Sequence, residues 1–112
     1  MACFWIAIEK ATRNLISGTT CKTPEDIATF VKSKNQKTPE ISINGNKLSD
    51  QEQNENFDHC RSYDVKTVFN GYDCSTSDPF LCLIATIYNV NISHNFNGIT
   101  ILYSIPTPST TI

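Results

Sequence analysis

Cysteine and histidine are the side chains in this sequence best suited to covalent chemistry. Cys3 stands directly before the bulky Phe4 and Trp5, at the start of a stretch with helical periodicity. A thiol at a helix N-terminus lies at the positive end of the helix dipole beside exposed amides, which lowers its pKa and supplies donors for an oxyanion. The alternative interpretation is that Cys3 is a small, inert apolar residue, as most free cysteines are.

A nucleophilic cysteine needs a general base, and the chain contains two histidines. His94 lies in an apolar run and either faces a cleft, where it would accept the thiol proton, or faces solvent beside a turn. His59 lies in a polar helical stretch, where a surface position is expected. The carboxylates available to orient a catalytic histidine are Asp64, Asp73 and Asp78.

The five cysteines are odd in number and form no C-x-x-C pair, so we expect no disulfides. The first residues lack the basic start of a signal peptide, and no apolar stretch approaches the roughly 20 residues that span a bilayer. We therefore expect a cytoplasmic protein with no membrane partner. His59 and Cys60 are adjacent and poorly placed for joint chelation, so neither a metal nor another cofactor is expected.

Composition limits the remaining possibilities. The chain has 112 residues, of which 39% are apolar, enough for the core of one domain. Nine basic and eleven acidic residues give a net charge of -2, and they form no basic run. Non-specific attraction to nucleic acid therefore has no electrostatic source, and we expect no nucleic-acid partner.

The elements that must position Cys3 are helices in the first half of the chain. Apolar residues at helical spacing predict a first helix over residues 3–17, and Thr23 before Pro24 caps a second helix that ends near residue 34. Residues 41–43, broken by Asn44-Gly45, then predict either a brief strand or a turn. Ser49 and Asp50 predict the cap of a polar surface helix over residues 51–59, whose single large apolar residue, Phe57, leaves little to anchor it.

The second half carries the stronger pattern. Asp78 and Pro79 are the cap and first turn of an apolar helix over residues 80–88, which we expect to be the core. Residues 90–96 and 99–105 predict two antiparallel strands joined at Asn97-Gly98. The whole predicts a monomeric α+β domain over residues 1–105, with helices on a short antiparallel sheet, followed by an extended tail over residues 106–112.

Two blocks resemble a known family. Ala2-Cys3-Phe4-Trp5-Ile6-Ala7-Ile8 resembles the nucleophile helix of the papain-like cysteine peptidases, and most of all that of the ovarian-tumour (OTU) deubiquitinases and their viral relatives. The block from Asp78-Pro79-Phe80-Leu81 to Tyr88-Asn89-Val90-Asn91-Ile92 is similar to that family's helix running into a strand. Ile101-Leu102-Tyr103-Ser104 is similar to its last core strand.

The resemblance implies a small OTU-like fold and a thiol peptidase acting on a ubiquitin-like protein or a polyprotein. Cys3 would be the nucleophile. The family's catalytic histidine normally follows the last strand, whereas residues 104–112 contain none, so His94 is the candidate base.

Two other functions are compatible with the same residues. One is a catalytically inactive module that keeps the peptidase fold and binds a protein partner. The other is a small structural protein in which Phe4 and Trp5 only fill the core. The separation of the Cys3 sulfur from the nearest imidazole distinguishes the enzyme from the other two.

Overall fold

The chain folds into helices packed on one small antiparallel sheet, as the sequence predicts. The computed structural model describes residues 3–12, 23–70, 77–96 and 98–112, without the side chains of residues 3 and 68–70. In chain order the described elements are α1 (Cys3–Thr12), α2 (Pro24–Ser33), β1 (Ser42–Ile43), β2 (Asn46–Lys47), α3 (Asp50–Ser62), a 3-10 helix (Val65–Asn70), α4 (Pro79–Tyr88), β3 (Ile92–Phe96) and β4 (Ile99–Ser104). The fold is therefore α+β.

The sheet has the strand order β2-β1-β4-β3, with every neighbouring pair antiparallel. Strands β3 and β4 pair from Ile92 opposite Tyr103 to Phe96 opposite Ile99. Only two residues lie between Phe96 and Ile99, and Gly98 has a φ of +83°. That left-handed value suits the tight turns that join hairpin strands, so the predicted hairpin is confirmed.

The short β1–β2 hairpin is held to the sheet by its turn. Asn44 and Gly45 have φ values of +50° and +87°, the left-handed pair that a two-residue hairpin turn requires. The Asn44 amide donates to the Leu102 carbonyl (2.8 Å), and the Asn44 Oδ1 accepts from the Leu102 amide (2.9 Å). Asn44 therefore extends the pairing with β4 beyond Ile43.

Helix α4 is the centre of the core. Its residues from Phe80 to Ala85 are all buried. Six consecutive buried residues cover every side of a helix, so α4 is surrounded by the rest of the domain. Asp78 is the N-cap, and its Oδ1 accepts from the Phe80 amide (3.0 Å) and the Leu81 amide (3.3 Å). The predicted cap and the predicted core helix are both confirmed.

Helix α3 has the predicted cap at Ser49, and its buried anchor is Cys60. Ser49 and Glu52 form a reciprocal capping box: the Ser49 hydroxyl accepts from the Glu52 amide, and the Glu52 carboxylate accepts from the Ser49 amide. Phe57 is only half-buried, whereas Cys60, which the sequence does not single out as an anchor, is 1% exposed. Cysteine behaves as a small apolar residue, a role that the polar surroundings of Cys60 in the sequence obscure.

Helices α1 and α2 complete the helical layer. Thr23 caps α2 through its hydroxyl, which accepts from the Asp26 amide, so that predicted start is confirmed. Helix α1 begins at Cys3 and extends to Thr12. The predicted continuation over residues 13–17 lies outside the described residues.

The segment after β4 pairs with the start of β3. Asn91 donates to the Thr110 carbonyl (2.9 Å), Ser93 donates to the Ile112 carbonyl (2.9 Å), and Ile112 donates to the Asn91 carbonyl (2.8 Å). Asn91 and Thr111 form a parallel bridge. Residues 109–112 therefore lie along the outer edge of β3 like a short additional strand.

In the part of the chain that is described, no helix has the length and apolar character needed to cross a membrane.

We expect Ile84→Ala to lower the free energy of unfolding by about 2 to 5 kcal/mol, because Ile84 is fully buried in α4. Ile99 is 63% exposed, so Ile99→Ala is the matched control and should cost less than about 1 kcal/mol. Urea unfolding measures both. Equal losses at the two positions would contradict the assignment of α4 as the core.

Candidate functional site

A cavity of about 450 Å³ lies between α1 and the edge of the sheet at β3. Most of its lining is apolar, and its polar lining residues come from β3. The lining residues are Phe4, Ala7, Ile8 and Ala11 of α1, Leu81 of α4, Ile92, Ser93, His94 and Asn95 of β3, and Ile112. One of the two candidate catalytic residues, His94, is thus beside the helix that begins with the other.

Helix α1 is fixed in this place by Trp5. The indole of Trp5 is fully buried, and its Nε1 donates to the Tyr63 hydroxyl (3.0 Å). Its ring meets Phe80 of α4 edge to face, with the ring centroids 4.9 Å apart. Phe4, the next residue toward the start of the helix, lines the cavity. Trp5 therefore anchors α1 in the core, and the neighbouring Phe4 forms part of the cavity wall.

His94 lies on the inner face of β3. Alternate residues of a strand share a face, and Ile92, His94 and Phe96 are more buried than Ser93 and Asn95 between them. The His94 ring lies 5.8 Å from that of Phe96 and 6.5 Å from that of Tyr103. The solvent-facing alternative for His94 is therefore wrong, because the strand period turns its side chain inward.

The Nδ1 atom of His94 is buried and has no hydrogen-bond partner among the described residues. A buried polar atom without a partner costs about 1 to 3 kcal/mol, so this arrangement is a departure from ordinary packing. In catalytic triads the corresponding nitrogen donates to an acceptor that fixes the ring and its tautomer. No residue that the structure describes supplies such an acceptor to His94.

Of the three candidate orienting carboxylates, the two that the structure describes, Asp78 and Asp64, do not hydrogen-bond to His94. Asp78 is fully buried and caps α4. Asp64 is exposed and caps the 3-10 helix, where its Oδ1 accepts from the Lys66 amide (3.0 Å). Asp73 lies outside the described residues.

Cys3 is the first residue of α1, and its position is one helical turn before Ala7, which lines the cavity. Its side chain lies outside the described part of the structure. The structure thus places the helix of Cys3 and the strand of His94 on opposite walls of one cavity.

His59 is exposed, as predicted. Its ring lies 5.6 Å from that of Phe80, and it lines a separate, shallow cavity with Glu55, Asp58 and Ser62. No residue of α1 is among the described lining of that cavity. The structure therefore favours His94 over His59 as the histidine associated with α1.

Two further thiols are free but unsuited to nucleophilic chemistry. Burial, reinforced by the negative charge of Asp78, raises the pKa of Cys60 to about 12. Burial and the same charge also raise the pKa of Cys82 to about 12. Both thiols are therefore protonated at neutral pH. Cys21 and Cys74 lie outside the described residues.

Within the described ranges, no group of three or more histidine, cysteine, aspartate or glutamate side chains is arranged to hold a metal ion. Comparisons of the chain with protein-family models, with curated proteins and with solved structures found no match.

The sequence singles out Cys3 and His94 as candidates but gives no indication that Ile112 lines the same cavity. The final residues read only as an extended tail with two prolines. Their pairing with β3 is a long-range contact, and the β-branched run Thr110-Thr111-Ile112 is the one local signal that favours a strand there.

The raised thiol pKa values predict a fall in stability at high pH. Below about pH 9 Cys82 is protonated in both the folded and unfolded chains; between about pH 9 and 12 it ionises only when unfolded, so unfolding becomes easier. Urea unfolding from pH 8 to 11 should show a shallower decline for Cys82→Ala than for the wild type. If the free energy of unfolding declined equally with pH in the two proteins, Cys82 would not be a buried, protonated thiol.

Proposed function

We propose that the protein is a thiol-dependent peptidase of the OTU-like type, with Cys3 as nucleophile and His94 as general base. The observation that carries this proposal is the cavity that α1 and His94 share. A helix that begins at a cysteine and faces a histidine across a cavity is the arrangement that cysteine peptidases need. The resemblance of the sequence around Cys3 to the OTU nucleophile helix supports a ubiquitin-like protein or a polyprotein as substrate.

The chemistry requires few groups. His94 takes the proton of the Cys3 thiol, and the thiolate sulfur attacks the carbonyl carbon of the scissile amide. The backbone amides of the first turn of α1 donate to the oxyanion that forms. His94 then returns the proton to the leaving amine, the C–N bond breaks, and water, deprotonated by His94, releases the acyl group from sulfur.

The unpartnered Nδ1 of His94 predicts slow turnover. A histidine that acts through Nε2 carries its own proton on Nδ1, and no described residue accepts that proton to orient the ring or stabilise the imidazolium. General-base assistance is worth about 10² to 10⁴ in rate, so a poorly oriented base forfeits part of that gain.

The same observation favours the second candidate, an inactive module that keeps the fold and binds a protein partner. In that case the cavity binds the protein partner without catalysing a reaction, and Cys3 is only the first residue of α1. The two candidates differ in whether a covalent bond forms at Cys3.

We also propose that the protein acts in the cytoplasm as a monomer. Cys60 and Cys82 are free thiols within the described structure, which suits a reducing compartment.

The direct test is incubation with ubiquitin that carries a thiol-reactive C-terminus. We expect slow formation of a covalent adduct, located at Cys3 by peptide mass spectrometry and abolished by Cys3→Ser. His94→Ala should slow the reaction by at least about 10-fold, since the base that generates the thiolate is lost. The matched control is His59→Ala, which removes the other histidine and should leave the rate within about 2-fold.

Circular dichroism confirms that each variant is folded. An adduct that survives Cys3→Ser, or equal rates for the two histidine variants, would contradict the proposed site. Retention of ubiquitin without an adduct would favour the binding module instead.

A further inference from the structure

A second cavity, of about 320 Å³, lies at the C-terminal end of α4. Its described lining comes from three parts of the chain: the segment before β1, the end of α4, and the segment that leaves β4. The lining residues are Glu40, Thr86, Asn89, Ile105, Pro106 and Thr107. None of them lines the α1–β3 cavity, so this space, the Glu40 cavity, is separate from the candidate catalytic site.

Hydrogen bonds hold two walls of the Glu40 cavity together. Asn89 ends α4 in the left-handed conformation (φ +56°), and its Nδ2 donates to the Thr107 carbonyl (3.2 Å). The Asn89 carbonyl accepts from the Ser109 amide (2.8 Å) and from the Ser109 hydroxyl (3.0 Å). The segment after β4 is therefore tied to the end of α4, and the space beside them is preformed.

The polar side chains of the cavity offer acceptors for which the described residues supply no donor. Glu40 is exposed and is the only charged residue in the described lining, and no described residue bonds to its carboxylate. The Thr86 hydroxyl already donates to the Cys82 carbonyl (3.0 Å), and the Asn89 Nδ2 is bonded as above. The Asn89 Oδ1 is a second acceptor, and the Thr107 hydroxyl can donate or accept.

The end of α4 adds to the negative potential of the cavity. A helix carries a partial negative charge at its C-terminus, where a basic side chain is stabilising. The last turn of α4 contains no basic residue. The segment after β4 contributes the apolar Ile105 and Pro106 to the lining. The cavity therefore combines an unbalanced negative end with an apolar wall.

We propose that the Glu40 cavity binds the side chain of a lysine or arginine from a protein partner. An ammonium or guanidinium group has donors and no acceptors, which matches the Glu40 carboxylate and the Asn89 Oδ1. The methylene stem lies along Ile105 and Pro106, because long basic side chains cover apolar surface while their charge stays near water. One carboxylate balances one charge, so a singly charged side chain is favoured over a free polyamine. This site does not depend on the proposed peptidase activity.

The first test is an NMR titration of the full chain with N-acetyl-lysine N-methylamide, a lysine blocked at both ends. We expect shifts at the amides of Thr86, Asn89, Ile105 and Thr107, and weaker binding at high salt, because exposed ion pairs are screened. The control probe is norleucine blocked in the same way, which keeps the methylene stem and lacks the ammonium group. Equal shifts from the two probes, or none at these amides, would overturn the proposal.

Variants locate the charge and the space. Glu40→Gln should weaken the binding of blocked lysine by about 2- to 5-fold, the range expected for one partly exposed ion pair. The matched control is Glu25→Gln, since Glu25 is exposed on α2 and is not among the described lining residues. Thr107→Phe adds a ring to the lining and should also weaken binding, whereas Thr110→Phe, at another exposed position of the same segment, should not. Equal affinities of the two glutamate variants would contradict pairing with Glu40.

A last comparison separates a protein side chain from a free cation. Putrescine, a diamine with an ammonium group at each end, can pair only one of them with Glu40. We expect putrescine and blocked lysine to bind within about 5-fold of each other, the most that one exposed ion pair supplies. A larger preference for putrescine would mean that both of its charges are bound, and would overturn the assignment to a protein side chain.

Discussion

The buried carboxylate of Asp78 is the interaction on which the arrangement of this domain depends. It caps α4 through the amides of Phe80 and Leu81, and its own amide donates to the hydroxyl of Tyr103 on β4 (2.9 Å). A buried carboxylate is tolerated only with such donors, because removing its hydration without replacement costs several kcal/mol. One residue therefore sets the start of the core helix and its position on the sheet. Its charge also reinforces the high pKa of the buried Cys60 and Cys82.

Both walls of the candidate site, helix α1 and strand β3, are held by residues that neighbour Asp78 in the core. Phe80, the second residue of α4, packs against Trp5, which anchors the helix that begins at Cys3. Tyr103, which accepts from the Asp78 amide, lies opposite Ile92 in the strand pair and beside the His94 ring. The two walls of the cavity are thus held by neighbouring parts of one core. Their separation is a property of the whole fold rather than of either wall.

Local sequence determined some of these features and not others. The Asp78-Pro79 start of α4 and the Asn97-Gly98 turn are local signals, and both predicted elements occur. The burial of Cys60, the inward face of His94 and the pairing of residues 109–112 with β3 depend on contacts with distant residues. Strand alternation offered a signal for His94, since Ile92 and Phe96 flank it at a spacing of two. The sequence could not show that His94 Nδ1 lacks an acceptor among the described residues, because it contains three aspartates that could each have served as that acceptor.

The central claim is that the helix position of Cys3 faces His94 across one cavity, and disulfide trapping measures it most directly. A disulfide requires Cα atoms about 4.4 to 6.8 Å apart with converging side chains. We would combine the native Cys3 with His94→Cys, replace Cys21 and Cys74 by serine, and oxidise the folded protein. The account predicts a bond between positions 3 and 94, and a much slower bond for the control Leu102→Cys, a 40% exposed position of β4 that is not among the described lining residues of the cavity. Equal trapping at positions 94 and 102, or none at 94, would contradict it.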